Sequence, residues 1–137
     1  MVVFSAIISC KKEQTLINEI EGTYKIEKVL YMVSSGDSIV NFSNAIMFFD
    51  QCKLKDQTTQ QCNGYYETEA QKRMTFDYLP RTEGGKEVMN INSFDFDANP
   101  YFGGSYRIED RKENSLTLVR QSSYESDKPD LRIYLRK

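Results

Sequence analysis

The sequence predicts an all-β fold of about eight antiparallel strands, and three observations carry that expectation. Segments such as Lys72 to Leu79, with Met74, Phe76 and Tyr78 on one face and Arg73, Thr75 and Asp77 on the other, alternate with the period of a half-buried strand. Polar turns interrupt such segments at short intervals, as at Ser34 to Ser38, Gly84–Gly85 and Asp110 to Asn114. The chain also holds 9 tyrosines and 8 phenylalanines, and Ala-rich or Leu-rich heptads are missing.

The longest candidate strand, Glu21 to Val33, opens on Gly22. Tyr24, Ile26, Val29 and Tyr31 fill it, with charged residues interleaved in its first half. Its alternation breaks from Val29 to Val33, which implies a bulge or burial on both faces. The connection to Asn44 is long enough to be a lid or to hold an extra short strand. Ala45 to Lys55, Gly64 to Ala70 and Lys72 to Leu79 follow as strands, the last ended by Pro80. Val88 to Phe96 switches apolar parity between Met89/Ile91 and Phe94/Phe96, which a bulge near Asn92 and Ser93 would explain. Ser105 to Glu109, Ser115 to Ser122 and a final strand carrying the inward stripe Leu131, Ile133 and Leu135 complete the set. Before the first strand, Leu16, Ile17 and Ile20 stand at helical spacing, as in a short helical turn plugging the base of the fold.

A chain of 137 residues makes one domain. The formal charge of −2, from 18 basic and 20 acidic residues, gives no basic patch for nucleic acid. The absence of histidine excludes Ser/His/Asp and Cys/His catalysis. Asp50, Glu67 and Asp77 read as solvated strand faces rather than a glycosidase pair, so no enzyme and no cofactor are expected. Asp95 to Asn99 opens like a calcium loop, but Pro100 stands where the turn glycine belongs and Tyr106 where the bidentate glutamate belongs.

The N-terminus is apolar and ends at Ile7-Ile8-Ser9-Cys10. This run is too short to cross a membrane. It resembles the lipobox of bacterial lipoproteins, in which a small residue precedes a cysteine that is acylated after cleavage. The resemblance implies a clipped signal peptide over residues 1–9, lipid attachment at Cys10 with a spacer to residue 20, and membrane tethering without spanning. With Lys11 rather than aspartate following the cysteine, it implies an outer-membrane location in the cell envelope.

Of the three cysteines, lipidation of Cys10 leaves Cys52 and Cys62 as a pair flanking the polar tract 55–60. Strands meeting in that tract bring them within reach of a disulfide, a register that also sets Phe48 opposite Tyr66.

About eight antiparallel strands in this length fit an up-and-down barrel or a sandwich. Ile20 to Tyr24 with the strand that follows, Gly104 to Ile108, Ser115 to Leu118 and the closing Arg132-Ile-Tyr-Leu-Arg136 resemble bacterial lipocalin-like domains, over residues 21–137. The resemblance implies a barrel that binds a small apolar or amphipathic molecule; the alternative expectation is a solidly packed envelope module whose loops contact a protein partner. It also implies a structural role for Gly22 and for Tyr24, which stands where lipocalins carry tryptophan, with Arg132 or Arg136 stacked on its ring. Phe48, Tyr66, Phe76, Tyr78, Phe94, Phe96 and Tyr106 are then either the lining of a cavity, with tyrosine hydroxyls orienting a ligand, or simply the core.

Overall fold

Strand β1 (Gly22–Val33) lies along both seams of the molecule. On one edge it pairs antiparallel with β9 (Pro129–Arg136), and on the other with β2 (Gly36–Asn41) and then β3 (Ile46–Phe49). From β3 the sheet continues through β4 (Cys62–Glu67), β5 (Met74–Glu83), β6 (Lys86–Ser93), β7 (Gly104–Lys112) and β8 (Ser115–Gln121) to β9, each strand antiparallel to the one before. The β1–β9 pairing closes the ring at eight strands, with β2 outside it, so the fold is an antiparallel barrel. The computed structural model describes residues 12–33, 36–54, 62–69, 72–98, 100–121 and 129–137. Cys10 and the tract 55–61 lie outside the described residues.

The break in β1 alternation comes earlier than expected. The β1–β9 register shifts between Ile26 and Lys28, so Tyr24, Ile26 and Val29 all point inward despite the change of parity. The long connection after β1 is the extra strand rather than a lid. β2 is exposed throughout and pairs with β1. β5 does not stop at Pro80 but runs on to Glu83. Among the described residues, β5 beyond Tyr78 pairs with β6, and the edge of a sheet is where proline is tolerated. The β5–β6 hairpin turns on Gly84 and Gly85, whose φ values of 56° and 79° belong to a turn that other residues adopt only with strain.

The helix α1 (residues 12–20) closes one end of the barrel. Its Leu16, Ile17 and Ile20 are buried in the core as their spacing predicts. Its polar side is tied down as well. Gln14 donates to the Cys52 carbonyl (2.8 Å) and accepts from the Leu54 amide (2.7 Å). Arg111 of β7 pairs with Glu19 of α1 and grips Glu87 of β6 through two hydrogen bonds of 2.9 and 2.8 Å. Those bonds to Arg111 hold the Glu87 carboxyl below its usual value of 4.5. A depressed folded-state pKa contributes stability that is complete above the unfolded value and is lost as pH falls through the folded one. Acidification below the ordinary carboxylate range should therefore weaken this anchor. The expected result is a urea midpoint that falls less steeply on acidification in Glu87→Gln than in the parent.

The disulfide Cys52–Cys62 is formed, with Cα atoms 5.5 Å apart. The register expected from it is wrong by one residue. Phe48 pairs with Tyr65, and Met47 with Tyr66. The cause lies after Phe49, where β3 ends. The Gln51 amide donates to the Asp50 carboxylate (2.8 Å), and Cys52 reaches Cys62 from outside the ladder, so counting back from the bridge in strand steps misplaces the pairs. Replacing both cysteines by serine should cost about 2–3 kcal/mol, measurable as a lower urea midpoint, because the loop they close becomes free in the unfolded chain.

Candidate functional site

Four of the aromatic residues singled out in the sequence meet inside the barrel. Tyr66, Phe76, Tyr78 and Tyr106 are all buried, alongside Phe49 and Phe102. Several of the rings pack edge-on, as in Phe49–Tyr78 (5.0 Å) and Tyr66–Phe102 (4.8 Å), while Tyr66 and Phe76 stack. The tyrosine hydroxyls are not aimed at an empty lumen. Tyr66 donates to the Pro100 carbonyl (3.1 Å), Tyr106 to Phe102 (2.7 Å), Tyr78 to Asp50 (2.6 Å) and Tyr24 to Ile20 (2.7 Å). Each ties the barrel wall to a segment that covers or leaves one end. Burial pushes all four phenols up, Tyr24 to about 12, so they stay protonated donors.

The end opposite α1 is covered by the connection between β6 and β7, residues 94–103. Pro100 and Phe102 of this connection are buried, Phe102 against Tyr66. Arg120, inward on β8, holds the connection down through the Tyr101 carbonyl (2.7 Å) and the Gly103 carbonyl (3.2 Å), while its Nε bonds Asp130 (2.9 Å). With α1 under one end, Phe102 seated toward the other and large side chains between them, these aromatic residues belong to the buried core.

Phe48 and Phe94 do not join them. Phe48 faces outward, its ring 5.0 Å from Tyr65, which in turn lies under Arg73. Phe94 is 73 % exposed and Phe96 76 % exposed. The parity switch in this segment is not a bulge within a strand. β6 ends at Ser93, and the chain leaves the sheet into a turn in which the Asp97 amide donates to the Asp95 carboxylate (3.2 Å).

The expected stack of Arg132 or Arg136 on Tyr24 is also corrected. With Leu131, Ile133 and Leu135 inward, the period of two sends Arg132 and Arg136 to the outer face, where they pair with Glu109 and Glu27. The cation near the Tyr24 ring is Lys137, at 5.3 Å, just past the end of β9. Gly22 opens β1 as expected, next to the same lysine stem.

The two exposed phenylalanines border a cleft of about 680 Å³ on the outer side of the barrel. Its floor is an outward row across three strands, Asn63 on β4, Asp77 on β5 and Asn92 on β6, which are direct cross-strand partners. Its wall is Phe94, Phe96 and Tyr101 from the β6–β7 connection. The Tyr101 hydroxyl donates to the Ser93 carbonyl (3.0 Å), and its ring lies 5.6 Å from Phe96, so the wall is braced against the strand it overhangs. Sequence reasoning names Asp77 and Phe96 without joining them. The period-two pattern marks Asp77 as outward, but only the register of three strands shows that two amides flank it.

What fold and site define is a closed eight-stranded antiparallel barrel with a cleft on its outer face. No family model matches the chain, and no curated protein matches it. Among solved structures, the chain is similar to a lipocalin-like protein from Bacteroides uniformis, with 16 % identity and a TM-score of 0.48 over 87 % of this chain and 98 % of that one.

Proposed function

We propose that this chain is a lipid-anchored, lipocalin-like protein of the cell envelope that binds a small amphipathic molecule without turning it over. The ligand lies in the external cleft rather than in the lumen. The observation that supports this reading is the pair of exposed rings, Phe94 and Phe96, beside a polar floor in a cleft of about 680 Å³, a volume typical of small-molecule sites. Exposed apolar surface rimmed by polar residues is a mark of a binding site. A neutral amphipathic fluorophore, N-phenyl-1-naphthylamine, should brighten on binding the parent and bind about tenfold more weakly to Phe96→Ala, a loss of about 1.4 kcal/mol. Equal binding by both proteins would overturn the assignment of the cleft.

The anchor is the acylated Cys10, two residues before the first described residue of α1. Several acyl chains, at about 0.8 kcal/mol per buried CH₂, would hold the protein at the membrane surface. Cys10→Ser should abolish labelling by an alkyne fatty acid in cells, and persistent labelling would defeat the lipobox reading.

A further inference from the structure

We infer that the cleft selects an organic cation, an amine or quaternary ammonium group carried on an apolar body. This rests on the reading of the cleft as the ligand site and adds the charge of the ligand to it.

The lining holds one charged side chain, and it is a carboxylate. Asp77 stands in the middle of the floor, and among the described residues no lysine or arginine lines the cleft. The ion pairs among the described residues use Glu19, Glu27, Glu67, Glu83, Glu87, Glu109 and Asp130, and Asp77 is in none of them. Asp95 and Asp97, in the connection that carries the wall, add negative charge nearby. An anion entering the cleft meets only repulsion from these groups, whereas a cation neutralises a carboxylate that has no counter-ion among the described residues.

The wall suits the same ligand. Phe94, Phe96 and Tyr101 set three aromatic residues along one space, and aromatic faces attract cations through their quadrupole. Because the Tyr101 hydroxyl is already engaged with Ser93, what this residue offers the cleft is its ring. The arrangement of several rings and one carboxylate is what recognises an ammonium group. A neutral polyol could use Asn63 and Asn92 but would gain little from an uncompensated charge between them.

The test uses three amphiphiles with the same octyl tail, each below its critical micelle concentration: octyltrimethylammonium, octyl glucoside and octanoate. They are titrated into the full chain by calorimetry, with amide NMR shifts mapping the site. The cation should bind about tenfold or more tightly than the other two, with shifts at Asn92 to Phe96 and Tyr101 to Gly104, and should weaken as salt is raised. Asp77→Asn, its fold checked by its amide NMR spectrum and urea midpoint, should bind the cation no more tightly than it binds octyl glucoside. Equal affinities for all three at the same residues, or a cation preference that survives Asp77→Asn, would overturn this inference and leave the ligand cleft standing. Absence of shifts at the cleft with every probe would overturn both.

Discussion

Gly64→Ala should destabilise the barrel by about 3 kcal/mol, far more than one methyl group ordinarily costs in a strand. Gly64 faces inward on β4, opposite Phe49 on one side and Phe76 on the other. The two phenylalanine rings meet edge-on over it at 5.8 Å, and both are buried in the core. A Cβ at this position would run into the Phe48 carbonyl oxygen and stand 2.6 Å from the Phe76 ring. Neither neighbour can yield cheaply. The carbonyl belongs to the β3–β4 ladder, and the ring is hemmed in by Phe49, Tyr66 and Tyr78. Urea unfolding should show the loss as a lower midpoint at unchanged slope. Thr75→Ala, on an exposed position of the adjacent strand, serves as the comparison and should move stability by about 0.5 kcal/mol or less. If the two variants behave alike, the interior is looser around Gly64 than this packing requires.

That glycine shows where the sequence stops being legible. Its neighbours Tyr66, Phe76 and Tyr78 can be assigned to the interior from period-two alternation alone, and the stripes of β5 and β9 fall on the expected faces. Alternation reports a face, however, and not a partner. Which residue of β3 sits over Gly64 depends on the non-extended residues after Phe49, and counting from the disulfide slips the register by one. The same limit applies to the cleft. Asp77 is visibly outward, but Asn63 and Asn92 lie 14 residues before it and 15 after it, and only the ladders bring them alongside. Phe94 and Phe96 are misread for a different reason. Alternating aromatic residues look the same in a strand and in a loop that has just left one, and what decides is whether a neighbouring strand continues beside them. Here the β6–β7 pairing stops at Ile91. The placement of Lys137 rather than an arginine near Tyr24 is within reach of the sequence, because the inward stripe of Leu131, Ile133 and Leu135 already sends Arg132 and Arg136 outward.

Phe102→Ala should cost about 3–5 kcal/mol and, more usefully, should turn a filled barrel into one that takes up a small apolar molecule. Phe102 is the stopper of the end opposite α1. It has no exposed surface, its ring is 4.8 Å from Tyr66, and its carbonyl accepts the Tyr106 hydroxyl. The bond to Tyr106 and the grip of Arg120 on Tyr101 and Gly103 both run to backbone carbonyls. They survive the substitution, so the connection stays seated while the space under it empties. A void with apolar walls stays dry and gains from any apolar guest that fits. Benzene should therefore raise the melting temperature of Phe102→Ala while leaving that of the parent unchanged, since a ligand stabilises only the state that binds it. Equal stabilisation of both proteins would mean that the parent already holds an open lumen, and the ligand site would then have to move from the outer cleft to the interior. The outcome separates the two places a ligand could occupy, whatever the ligand is. The external cleft lies beyond the plug, so cleft binding by N-phenyl-1-naphthylamine should be nearly the same in Phe102→Ala as in the parent when extrapolated to the folded fraction.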